Sequence, residues 1–162
     1  MKINLDNADA EFSYLSINGN GVAYDNAVLP KGMITGPLTS SNFTDPIASR
    51  NAKELALNLT VASGSGTLAV AFIVLDPMEP SNGTTGVSTG SPPALINLNL
   101  GGTLSAPGTL RFVIANGNAV LYFNGIATQL GTMNVPMFWQ VQLQVGGTSP
   151  AISVIGTYET RR

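Results

Sequence analysis

The run Trp139-Gln140-Val141-Gln142-Leu143-Gln144-Val145 alternates without a break. Trp139, Val141, Leu143 and Val145 share one side and the three glutamines the other, the period of two expected of a strand with one buried and one polar face. A turn cluster, Gly146-Gly147-Thr148-Ser149-Pro150, follows, and Ala151-Ile152-Ser153-Val154-Ile155 reads as the return strand of a hairpin. Upstream, Arg111-Phe112-Val113-Ile114-Ala115 and Ala119-Val120-Leu121-Tyr122-Phe123 flank Asn116-Gly117-Asn118. Asn and Gly tolerate positive φ, so this is a second hairpin signal. Residues 109–160 therefore read as two hairpins in succession.

Working outward, strand patterns recur between Gly, Pro and Asn punctuation. Leu55, Leu57, Leu59 and Val61 alternate with Ala56, Asn58 and Thr60; Gly64-Ser65-Gly66 separates them from a nearly continuous apolar run, Thr67 to Leu75. That run is rich in Val, Ile and Phe and too short for a long helix, which predicts a strand buried on both faces. Ala94 to Leu100 alternates again, with Gly101-Gly102 as its expected end. Phe12 to Ile17 reads as a short strand closed by Asn18-Gly19-Asn20-Gly21, with Val22-Ala23-Tyr24 as a return. Gly-Thr occurs at residues 66, 83, 102, 108, 131, 147 and 156, too irregularly for a repeat protein. Seven to nine short strands between such turns predict an all-β fold. The expected architecture is an antiparallel, jelly-roll-like β-sandwich with long Pro/Gly-rich loops. We expect one domain, 1–162, with less regular strands and an arm in 1–50 and the main sandwich in 51–162.

Composition narrows function. The chain contains no cysteine and no histidine, removing the thiol nucleophile and the commonest general base and metal ligand. The expectation is a protein that is not an enzyme and needs no cofactor. Charged residues make up 10% of the chain, against about 25% in ordinary soluble domains. Asn, Gln, Ser, Thr and Gly take their place, and a charge-poor surface suits contact with other proteins. Basic residues stand only at Lys2, Lys31, Arg50, Lys53, Arg111, Arg161 and Arg162, with no stripe to follow phosphates, so no nucleic acid is expected. No apolar run is long enough to span a membrane as a helix, so no membrane partner is expected. The segment from Met1 to Asp6 lacks the apolar region of a secretory signal, which predicts synthesis in the cytoplasm.

Several groups invite a chemical reading. Asp6, Asp9 and Glu11 cluster but lack the glycine of a calcium loop, so a solvated acidic segment is expected. Asp76 and Glu79 flank Pro77-Met78, and a carboxylate pair in a proline-rich loop is poorly held for glycoside chemistry. Sequons at Asn42, Asn58 and Asn82 read as chance in a chain so rich in Asn, Ser and Thr. Trp139 falls on the core side of its strand. Two long loops, Pro30 to Pro46 and Asp76 to Pro93, stand out as segments a compact domain need not keep. Within them Pro30, Met33, Phe43, Pro46, Pro77, Met78, Pro80, Pro92 and Pro93 are the candidate partner contacts.

Two resemblances follow. The run from Val141 to Val154 resembles the closing hairpin of small all-β capsid decoration, or cement, proteins of tailed bacteriophages. That resemblance implies a virion structural protein on the outside of an assembled head, often trimeric, whose partner is the major capsid protein. Leu110-Arg111-Phe112-Val113 with Val120-Leu121-Tyr122-Phe123-Asn124-Gly125 is similar to the central hairpin of laminin-G and concanavalin-like sandwiches. That likeness implies a carbohydrate-binding module, although no acidic residue stands between Glu79 and Glu159 to hold its calcium. A jelly-roll capsid subunit is the third expectation.

Overall fold

In a computed structural model, residues 10–14, 17–18, 37–44, 47–75 and 94–162 are described, with side chains for 37–41, 43–44, 47–75 and 96–162. Ten strands account for most of them: β1 Ala10–Tyr14, β2 Ile17–Asn18, β3 Asn42–Thr44, β4 Ile47–Ala48, β5 Glu54–Leu75, β6 Ala94–Leu104, β7 Gly108–Ala115, β8 Asn118–Phe123, β9 Ile126–Thr132 and β10 Phe138–Arg161. All pairings are antiparallel.

β5 and β10 organise the fold. They span 22 and 24 residues, about four times an ordinary strand, and pair with each other from Trp139–Val74 to Arg161–Glu54. Each changes neighbours along its length. The first half of β5 pairs with β7, which leads to β8 and β9, while the second half pairs with β6. The first half of β10 pairs with β3 and β4, and its second half with β1. One bent hydrogen-bonded surface thus makes two layers, β9-β8-β7-β5-β10-β1 and β6-β5-β10-β3-β2 with β4 also on β10. This is an antiparallel β-sandwich of jelly-roll-like form.

Aromatic contacts show the layers facing each other. Phe72 of the second layer lies 4.9 Å from Phe112 of the first, and it stacks on Trp139 at 5.3 Å; Trp139 meets Tyr158 edge-on at 5.4 Å. Around them Leu55, Leu57, Leu59, Val141, Leu143 and Val154 are buried, as the alternation requires. Burying such large apolar side chains supplies about 1.5–3 kcal/mol each.

Four expectations change. Trp139 to Ile155 is no hairpin: β10 runs through Gly146–Pro150, and both halves lie along the same partner, β5. Gly64-Ser65-Gly66 likewise bends β5 instead of ending it. At this corner Gly64, Gly66 and Gly147 have φ of 124°, 107° and 115°, values open to glycine and strained for other residues. Strand β6 continues through Gly101-Gly102 to Leu104, with a register shift between Ala69 and Ala71 of its partner. Lastly, part of the expected arm from Pro30 to Pro46 is built into the sandwich: Leu38 is fully buried and exchanges two backbone hydrogen bonds with Ile152. The expected return strand Val22-Ala23-Tyr24 lies outside the described residues.

Candidate functional site

Among the described residues, charged side chains collect in one place. The charged side chains described are Arg50, Lys53, Glu54, Arg111, Glu159, Arg161 and Arg162. All but Arg50 line one cleft of about 920 Å³ and the hollow of about 100 Å³ beside it, which share Glu54, Glu159 and Arg161.

Strand register explains the gathering. Inward positions of β5 carry Leu55 and Leu57, so Glu54 and Ala56 face outward. Opposite them across the ladder stand Arg161 and Glu159 of β10, and on the other side of Ala56 stands Val113 of β7. Arg111, two residues along β7, shares that outward face. Lys53 extends the ladder by donating its N–H to the Arg161 carbonyl at 2.7 Å. The remaining rim is the turn at Asn116-Gly117, joined by Asn134 and Val135, which Met133 ties back through its N–H to the Gly117 carbonyl.

Within the cleft, Arg161 donates from Nε to Glu159 Oε1 at 2.7 Å, and its Nη2 lies 2.7 Å from the same oxygen. The hydrogen bond to Glu159 and that carboxylate's charge, with Glu54 contributing less, raise the Arg161 pKa above its ordinary value. A raised cation pKa loses its contribution only as pH climbs past that value, so Arg161 stays charged across ordinary conditions. The pair is too exposed to stabilise the fold appreciably. Among the described residues no carboxylate pairs with Lys53, Arg111 or Arg162. Among the described residues, four cationic and two anionic side chains line the site, a side-chain sum of +2 beside the −2 of the whole chain.

A second surface belongs to the outer side of the second layer, where Gln140, Gln142 and Gln144 of β10 run beside Ala71 and Ile73 of β5 and Asn97 and Asn99 of β6. One part of it is closed: Gln140 is 1% and Ala71 2% exposed, and the buried Gln140 Nε2 has no hydrogen-bond partner among the described residues. The glutamine row therefore runs from buried Gln140 through half-buried Gln142 to exposed Gln144.

Of the expected contact residues only Phe43 is described; it is half-buried on β3, opposite Gln142. Pro30, Met33, Pro46, Pro77, Met78, Pro80, Pro92 and Pro93 lie outside the described residues, as do Asp6, Asp9, Asp76 and Glu79. Trp139 is fully buried, and its indole N–H donates to Ser49 Oγ at 2.9 Å. No group of three metal-ligating side chains occurs among the described residues. Neither does a helix long and apolar enough to cross a membrane. The charged cleft was not foreseen, because its members lie at 53–54, 111 and 159–162 and only strand pairing unites them.

No protein-family model and no curated protein matches the chain. Among solved structures it is similar to a β-glucanase of Bacillus licheniformis, at 11% identity over 95% of this chain and 92% of that one. The TM-score is 0.38, a likeness too loose to bear on fold or activity.

Proposed function

We propose that the protein is a non-enzymatic virion structural protein, a capsid decoration or cement protein that sits on an assembled phage head and holds neighbouring subunits together. One observation carries the reading: in a chain with 10% charged residues, the described charge is concentrated in a single mixed-sign cleft. Elsewhere among the described residues amide, hydroxyl and apolar groups dominate, and such surfaces associate without desolvating ions. Many copies each add a modest free energy to the shell. The partner in this reading is the major capsid protein, and the place of action is the virion. Self-association, with a trimer favoured, belongs to the same proposal. Strand β9 supports it: Ile126 to Thr132 carries no charge and no proline, pairs only with β8 among the described residues, and is exposed almost throughout. Edges of this kind are ready to accept another strand.

A carbohydrate-binding role is the second reading. Tyr122, Arg111 and Asn58 form one transverse row on the outer face of the first layer, and Tyr122 is 39% exposed. An aromatic ring beside a guanidinium and an amide suits a sugar.

Co-sedimentation of the purified protein with empty phage heads, paired with light scattering of the protein alone, tests the proposal. Saturable binding at a fixed ratio to the major capsid protein is the expected result. A stable monomer that binds no particle overturns it, and binding on a glycan array then favours the second reading.

A further inference from the structure

We infer that the cleft between β5, β7 and β10 binds an acidic peptide segment of the partner protein. This rests on the proposed role in protein association and adds the chemistry of the segment recognised.

The sign of the cleft comes from pairing within it. Glu159 is occupied by Arg161 at 2.7 Å, which leaves Lys53, Arg111 and Arg162 against Glu54. Among the described side chains the excess is positive, in a chain whose net charge is negative. The hollow of about 100 Å³ has Ala56 and Val113 among its lining residues, Arg111 on the β7 side and the Glu159–Arg161 pair on the β10 side. A small, partly apolar recess beside a guanidinium with no ion partner among the described residues fits one carboxylate side chain, which the planar fork engages with two parallel hydrogen bonds. It shares Glu54, Glu159 and Arg161 with the larger cleft, where Lys53 and Arg162 offer further cations and Asn116 and Asn134 offer amides to a peptide backbone.

A peptide fits better than a nucleic acid. Glu54 and Glu159 stand in the wall and repel a continuous phosphate chain, and four cations at one end of the sandwich make no track for a backbone. A segment with two or more spaced carboxylates matches the excess of two positive charges, while its amides reach Glu54 and the asparagines.

The test uses the full chain with a fluorescein-labelled oligoglutamate peptide, an oligolysine peptide of equal length and a short single-stranded DNA, read by anisotropy. Oligoglutamate is expected to bind, to weaken as salt rises, and to outcompete the other two. The K53E/R111E double variant should lose about tenfold or more in affinity, and Glu54→Gln should gain affinity. Unchanged Trp139 emission shows that each variant is folded. Arg111→Lys separates the fork from simple charge: a loss in this variant supports the carboxylate seat in the hollow. Equal binding of oligolysine, or a double variant that binds as well as the parent, overturns the inference. Tighter binding of DNA than of oligoglutamate also overturns it, in favour of a phosphate site. Heads that take up the K53E/R111E protein normally leave the cement role standing and remove the cleft from it. Oligoglutamate binding without head binding does the reverse.

Discussion

At Gly64 one hydrogen atom in place of a methyl group lets the two long strands stay paired through the bend. A Cβ built there lies 2.0 Å from the carbonyl oxygen of Ala151 and 2.8 Å from the Cα of Ile152, both backbone atoms that cannot swing aside. Gly125, in the turn between β8 and β9, has φ of 82°, and a Cβ there meets nothing within 4 Å. The two positions separate steric need from conformational preference. Gly64→Ala should destabilise by about 3 kcal/mol or more, the range of severe packing and backbone conflicts. Gly125→Ala should cost only the left-handed penalty, about 1 kcal/mol. Denaturant unfolding followed by the emission of Trp139, the chain's only tryptophan, measures the difference. Equal costs would mean that the corner relaxes around a methyl group.

Among elements, the short strands β3 and β4 hold their place through side chains as much as through ladders. Thr44 Oγ1 accepts the Val141 N–H at 2.9 Å, and Ser49 Oγ accepts the Trp139 indole N–H at 2.9 Å, both bonds buried. Removing the hydroxyl with Ser49→Ala strands a buried donor and should cost about 1–3 kcal/mol. Replacing Trp139 by Phe in the same chain removes that donor, so the two losses should fall short of additive. Circular dichroism during urea unfolding of the two single variants and the double variant gives the coupling; full additivity would show that the bond contributes nothing. The β7-β8-β9 meander is held at its turns, where Asn124 Oδ1 accepts the Thr109 N–H at 3.0 Å and Asn118 Nδ2 donates to the Asn116 carbonyl at 3.1 Å. Its two turns are Asn-Gly pairs with positive φ at both positions, 51° and 73° at Asn116-Gly117 and 48° and 82° at Asn124-Gly125, matching the right-handed twist of the strands they join.

Taken as a whole molecule, the sandwich has no layer that stands alone, since β5 and β10 run through both. Loss of either long strand removes the ladder from both layers at once. Unfolding should therefore be a single transition, with Trp139 emission, which reports the second layer, coinciding with far-ultraviolet circular dichroism, which reports all strands. Two separated transitions would show that the halves melt independently. Pairings as distant in sequence as Glu54 with Arg161 also place folding in the slow range of β topologies, about milliseconds to seconds.

Alternation in the sequence by itself determined which side chains face the core: Trp139, Val141 and Leu143 on β10, and Leu55, Leu57, Leu59 and Val61 on β5, all lie in it, while the burial of Gln140 on the opposite face was decided by tertiary structure. The reason is local, since successive side chains of a strand leave on opposite faces whatever it pairs with. The Asn-Gly turns were legible for the same kind of reason, a backbone demand met by two adjacent residues. The role of the other glycines was not. Glycine opens the same region of φ for a turn that reverses the chain and for a bend that lets it continue, so Gly64–Gly66 and Gly146-Gly147 read as strand ends until β5 and β10 were seen lying along each other. The charged cleft was hidden more deeply. Lys53, Arg111 and Arg161 acquire a common face only from the register Ala56–Val113 and Ala56–Glu159. Register is a property of paired strands, decided by how the two layers close over Phe72, Phe112 and Trp139.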